Sequence, residues 1–217
     1  MKLLHLETRR KFPSNIDFSP LDKLPGKTIS LVATIQYLDL IPKIKNYLEK
    51  QGKKIIIKQG ADYKAQVLGC NSRAIDKNAN TILLLADGKF HALNNALQQN
   101  KEIYIFNTHK LEKITKQEIQ KHKNKTKAKI SKFLSYDTIG LISSTKPGQK
   151  YPNIIGLKNK IEKLSEGKKA YVFQTDNLNI SELENFQDIK IWINTACPGL
   201  AMDSEKIVNL VDVKKFI

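Results

Sequence analysis

Two cysteines are the entire thiol inventory of this 217-residue chain. Cys70 closes the run Gln66-Val67-Leu68-Gly69-Cys70. Cys197 lies in Asn194-Thr195-Ala196-Cys197-Pro198-Gly199, directly after the apolar Ile191-Trp192-Ile193. Both positions read as the ends of strands. Ligands of open α/β sheets collect at the carboxyl ends of strands, so two thiols from different strand ends can serve one pocket. Thiolates hold soft metals and iron–sulfur clusters. Gly69, Pro198 and Gly199 mark tight loops, where backbone can approach a ligand closely. The competing reading is that each cysteine is a small buried hydrophobe, the common fate of a free thiol. Two thiolates rarely complete a metal site, so as ligands they need donors from elsewhere.

Two further segments carry polar groups at strand ends. In Asp87-Gly88-Lys89-Phe90-His91, Asp87 is placed to cap a following helix and Gly88 to make the turn. That structural role accounts for both residues without any chemistry, and His91 reads more readily as a hydrogen-bonded structural histidine than as a catalyst. In Ser143-Ser144-Thr145-Lys146-Pro147-Gly148-Gln149, a loop follows a strand and precedes a helix, so its amides can receive a carboxylate or phosphate. It lacks the terminal Gly-Lys-Ser/Thr of a Walker loop. The sequence contains no Cys-x-x-Cys, no zinc-type histidine cluster and no Gly-x-Ser-x-Gly elbow.

The elements that must position these residues alternate. Leu3-Leu4-His5-Leu6 is a short apolar first element, followed by a loop with Pro13, Pro20, Pro25 and Gly26. Residues 28–35 read as a buried strand and 42–51 as a helix with Ile44, Tyr47 and Leu48 on one side, ended by Gly52. Strands are expected at 54–58, 81–85 and 102–106, with the Asp87-Gly88 turn and a helix near 91–99 between the last two. Residues 112–135, rich in Lys and Gln, read as a helical connection. The pattern then repeats: strand 138–143, helix 153–165, strand 169–174, a short helix from Ser181, and strand 189–193. Ser181 followed by Glu184 has capping-box spacing. The expectation is an α/β protein of two similar small domains, 1–125 and 126–217, each a mainly parallel sheet flanked by helices.

A net charge of +16 admits a nucleic-acid partner. Yet of 37 basic side chains only Arg9, Arg10 and Arg73 are arginine, the better reader of phosphates and bases. The balance therefore goes to a solvated lysine surface, with an acidic protein or RNA as the lesser alternative. No stretch approaches the roughly 20 apolar residues of a spanning helix. The amino-terminal apolar run is too short for a signal peptide, and the cysteine usage is not that of a secreted disulfide framework. These features point to a cytoplasmic protein without a membrane partner.

Taken together, five ordered segments resemble the archaeal diphthamide synthase family, the 2-(3-amino-3-carboxypropyl)histidine synthases. They are Leu31-Val32-Ala33-Thr34-Ile35-Gln36, Gln66 to Cys70, Ala86 to His91, Ser144 to Gln149, and Asn194 to Pro198. The resemblance implies three similar α/β domains, each giving one cysteine to a 4Fe-4S cluster. It implies reductive cleavage of S-adenosylmethionine at the sulfur–Cγ bond, and transfer of the 3-amino-3-carboxypropyl group to a histidine of translation elongation factor 2. By that resemblance Cys70 is the middle-domain ligand and Cys197 the last-domain ligand. Asp87, Gly88, His91, Ser144, Lys146 and Gly148 would line the S-adenosylmethionine pocket. This sequence departs from the family in three respects. It starts at the family's second domain, so a separate polypeptide or homologous subunit is expected to bring the missing domain and the third cysteine. Gly199 stands where an arginine commonly follows Cys-Pro, and Ala65 where a glycine is usual. An electron donor is a further implied partner. A docking or electron-transfer subunit, and a cluster-free RNA- or protein-binding module, are the alternatives.

Overall fold

In the computed structural model, which describes residues 6–217, the chain divides into two compact units, Met1–Gln120 and Lys121–Ile217. The expected Leu3–Leu6 element lies outside the described residues except for Leu6, which belongs to no regular element. The first unit contains β1 (Thr28–Ala33), α1 (Ile41–Lys50), β2 (Lys54–Ile56), β3 (Thr81–Leu85), α2 (Phe90–Gln99), β4 (Ile103–Phe106) and β5 (Leu111–Ile114). Helix α3 (Lys116–Ser135) holds the division point. The second unit continues with β6 (Thr138–Ser144), α4 (Ile154–Glu162), β7 (Lys169–Thr175), β8 (Ile191–Asn194), β9 (Ile207–Asn209) and α5 (Leu210–Val213).

The first sheet has the order β2-β1-β3-β4-β5, parallel except for the β4–β5 hairpin, and the second has β7-β6-β8-β9, parallel throughout. Taken in chain order, the first four strands of each unit adopt the same spatial order, second-first-third-fourth. Each sheet therefore has its topological switch point beside its first strand, between β1 and β3 and between β6 and β8. That is where open α/β sheets bind ligands.

Period-two alternation builds both cores. Ile29, Leu31 and Ala33 of β1 face the layer that contains Ile44 and Leu48 of α1. Val32 faces the opposite layer with Ala92 and Ala96 of α2. In the second unit Ile139, Leu141, Ile191 and Ile193 meet Leu157 and Ile161 of α4, while Ile142 and Trp192 face Leu183 and Ala201. Burial on both faces explains why these strands read as continuous apolar runs.

Several expectations need correction. Residues 111–114 form a strand, not the start of a helical connection. Thr108 takes a left-handed φ of 76° and folds β5 back onto β4. The Cys70 segment is no regular strand. The cap before the short helix at 180–185 is Asn179, whose side chain accepts from Ser181 N, rather than Ser181. Asp87 does not cap α2, which begins without a side-chain cap. The β9 strand was not foreseen. Gly52 does end the first helix, with φ 76°. No helix among the described residues is long and apolar enough to cross a membrane.

Candidate metal and substrate site

Neither cysteine is fully buried. Cys70 is exposed and Cys197 half-buried, and both are free thiols. This disfavours the buried-hydrophobe reading for either.

Cys70 sits at the tip of a tight turn. Leu68 and Asn71 exchange two backbone hydrogen bonds, of 3.0 and 3.3 Å, leaving Gly69 and Cys70 as the turn's central pair. Just before it, Val67 N donates to Ala33 O and Ala33 N donates to Ala65 O, both at 2.9 Å. The segment thus runs parallel to the last residue of β1, beyond the point where β2 has ended. Two backbone features permit this. Gly60 lies so close to Gln66 that a Cβ there would meet Gln66 O at 2.0 Å. Ala65 adopts φ 66°, a left-handed conformation that costs a residue with a Cβ about 1 kcal/mol or more. That geometry gives a physical reason for the glycine expected at this position. Here the fully buried methyl joins the apolar core instead.

Helix α2 grips the Cys70 turn. Asn95 Nδ2 donates to Leu68 O at 3.0 Å, Gln98 Nε2 to Gly69 O at 2.9 Å, and Gln99 Nε2 to Ser72 Oγ at 2.6 Å. Asp87, at the end of β3, accepts hydrogen bonds from Tyr37 Oη and from Arg10 Nη1, the latter at 3.2 Å. Burial and the Asp87 carboxylate together push the Tyr37 hydroxyl well above its usual range, so it remains a proton donor. Gly88 makes the turn with φ 69°.

His91, in the first turn of α2, packs edge-on against Phe90. Burial holds its imidazole below 6.5. The folded chain therefore resists a proton that the unfolded chain takes up, and stability rises with pH across that interval. We expect His91's contribution to be intact above pH 6.5 and to be lost as pH falls through its folded value. Denaturant midpoints between pH 7 and 5 check this. His91→Gln should flatten the slope, and an equal slope in that variant would refute the assignment.

Cys197 and the Ser144 loop share a cavity of about 260 Å³. Its walls include Ser144, Lys146, Gln149, Asp176, Asn177 and Cys197. Lys146 Nζ donates to Asn177 Oδ1 at 2.6 Å, and Lys146 N donates to Ser144 Oγ at 3.1 Å. Gly148 shapes the loop with φ 78° but does not line the cavity. The Cys197 loop is held by side-chain amides. Asn194 Nδ2 donates to Cys197 O and to Asn209 Oδ1, both at 2.8 Å, and Asn209 Nδ2 donates to Pro198 O at 3.2 Å. Lys129 of α3, 7% exposed, donates to Ala201 O at 2.5 Å. Burial pushes its ammonium below the ordinary lysine range.

The structure therefore joins Ser144 and Lys146 to Cys197 within the second unit. In the first it gathers Cys70, Asp87, Gly88 and His91 around the carboxyl edge and the start of α2. Sequence reasoning missed Arg10 and Tyr37, the Asp87 partners, and Asp176 and Asn177, which follow β7. The two thiols occupy different topological positions: Cys70 lies between the second and third strands of its sheet, Cys197 after the third. No group of three His, Cys, Asp or Glu side chains that could hold a metal ion occurs among the described residues. Each unit presents one accessible free thiol, the ligand chemistry that iron–sulfur clusters use.

The family model for diphthamide synthesis proteins matches residues 7–208. The chain is 31% identical over 179 residues to the 2-(3-amino-3-carboxypropyl)histidine synthase of Methanocaldococcus jannaschii, a match covering 76% of this chain and 51% of that protein. It is 30% identical over 191 residues to 2-(3-amino-3-carboxypropyl)histidine synthase subunit 1 of Neurospora crassa, covering 82% and 41%. The crystal structure of Dph2 from Pyrococcus horikoshii with a 4Fe-4S cluster superposes with a TM-score of 0.78 at 24% identity, over 91% of this chain and 59% of that one. At that identity the likeness bears on the fold. The chain spans about half, or less, of the length of these curated relatives.

Proposed function

Because the chain belongs to the diphthamide synthesis protein family, we propose that it forms part of a 2-(3-amino-3-carboxypropyl)histidine synthase. In this reading Cys70 and Cys197 ligate one 4Fe-4S cluster. A third thiol arrives from a separate first-domain polypeptide or a homologous subunit. When bound and reduced by an electron donor, the cluster would supply the electron that cleaves the sulfur–Cγ bond of S-adenosylmethionine. The 3-amino-3-carboxypropyl group then goes to a histidine of translation elongation factor 2.

The observation that carries this reading is the pair of accessible thiols, one at the carboxyl edge of each unit's sheet. The lining of the second unit's cavity supports an amino-acid-bearing substrate. Lys146 offers a cation for its carboxylate, Asp176 an anion for its ammonium, and Ser144 a hydroxyl. Gly148 gives that loop its turn. The family resemblance assigns Asp87, Gly88 and His91 of the first unit to S-adenosylmethionine binding as well. Free thiols also suit a reducing cytoplasm.

The test is anaerobic reconstitution with iron and sulfide, with and without a candidate cysteine-bearing partner. The expected result is a durable cluster, read as iron per chain and by electron paramagnetic resonance, only in the mixture. A stable, fully ligated cluster on this chain alone would overturn the shared-ligand arrangement.

A further inference from the structure

Four buried side-chain polar atoms have no hydrogen-bond partner among the described residues, and three belong to α2: Asn94 Nδ2, Asn95 Oδ1 and Gln99 Oε1. Buried polar atoms in native proteins are nearly always paired, so such a concentration points to a ligand. The helix carries four amides in six residues, Asn94, Asn95, Gln98 and Gln99. Three of them clamp the Gly69–Cys70 turn through its carbonyls and its neighbour Ser72.

Asn94 is the exception. It is only 9% exposed, and its Nδ2 donates to nothing among the described residues. Leaving a buried donor unpaired is costly, because the group has lost its water and gained no partner. A Cβ built on Gly69 would lie 3.6 Å from this nitrogen and 3.2 Å from Phe90 Cε1. The donor therefore faces the cysteine-bearing turn from the helix side, with the Phe90 ring beside it.

We propose that Asn94 Nδ2–H is a hydrogen-bond donor to sulfur at Cys70, either the thiolate or a sulfide of the cluster it holds. This inference rests on the cluster reading above. Asn94 is a positioning residue here: it acts through the sulfur rather than on the substrate. Hydrogen bonds to cluster sulfurs help set the reduction potential. A donor stabilises the reduced, more negative state and so raises that potential.

The experiment uses the reconstituted complex of this chain with its cysteine-bearing partner, in a reductive titration followed by electron paramagnetic resonance. Asn94→Leu removes the donor and should move the midpoint to more negative potential. Its melting temperature should equal or exceed that of the unaltered chain, since an unpaired polar group is lost. Asn94→Asp keeps the shape while replacing the donor with a carboxylate, and should move the midpoint further in the same direction. It also covers the case in which the leucine variant fails to fold. Clusters that assemble in both variants with an unchanged midpoint would overturn the inference and leave the proposed function standing. Failure of the unaltered complex to assemble a cluster would instead remove the proposed function, and this inference with it.

Discussion

On the proposed function, Cys70→Ala and Cys197→Ala are each expected to abolish iron retention in the reconstituted complex and to lower histidine modification by at least about 100-fold. Loss of a partner behind a metal ligand typically costs 10–100-fold in metal affinity or activity, and loss of the ligand itself should cost no less. Folding should be almost untouched. Cys70 is exposed at a turn tip and Cys197 half-buried at a loop, and substitutions at such positions usually change stability by about 0.5 kcal/mol or less. The turn geometry does not depend on the thiols, because Asn95, Gln98, Asn194 and Asn209 hold the two loops through backbone carbonyls. The measurements are iron per chain, the melting temperature, and transfer of label from S-adenosylmethionine to elongation factor 2. Loss of iron and of transfer with an unchanged melting temperature is the expected pattern. A docking subunit would give a different one, with modification surviving both substitutions.

What was legible in the sequence were features set by local chemistry. The apolar runs of β1, β3 and β8 could be read because both faces of each sheet are buried, so few polar residues interrupt them; Ser30 is the one inside β1. Gly52 and Gly88 marked turns because their φ values are open to glycine at little cost. The Cys70 segment misled for a non-local reason. Val67 and Leu68 have strand composition, but the close approach of Gly60 to Gln66 and the left-handed Ala65 bend the chain into a turn. Neither constraint is visible in a window of neighbouring residues. The Arg10–Asp87 contact joins positions 77 apart, so no spacing rule finds it. The lysine-rich composition hid two structural lysines. Lys129 binds a carbonyl of the segment after Cys197. Lys168 donates to Phe133 O and Tyr136 O at 3.0 Å, satisfying the end of α3. Strand β9, three residues long, carries too little pattern to separate from a loop.

Gly140→Ala is expected to be the most destabilising small change in the second unit, at about 3 kcal/mol. Gly140 lies in the central strand β6, paired with β7 on one side and β8 on the other, and its register partner on β8 is Trp192. The indole covers the glycine directly: an added Cβ would meet Trp192 Cε3 at 2.2 Å and Cδ2 at 2.6 Å. Trp192 cannot easily yield, because it is fully buried and Phe173 and Phe186 stack edge-on against it at 4.7 and 5.9 Å. Close-packed interiors absorb an extra methyl only by off-rotamer side chains or backbone shifts. For a unit of this size the loss corresponds to a fall in melting midpoint of roughly 10–20 °C. Trp192→Leu opens space at the same spot, so Gly140→Ala combined with Trp192→Leu should cost less than the sum of the two single changes. Additive costs would show that the methyl clashes elsewhere. Because Trp192 belongs to the strand that delivers Cys197, Gly140→Ala should also weaken iron retention, but together with stability. The cysteine substitutions remove iron alone, and comparing the two kinds of variant separates a ligand from the scaffold that carries it.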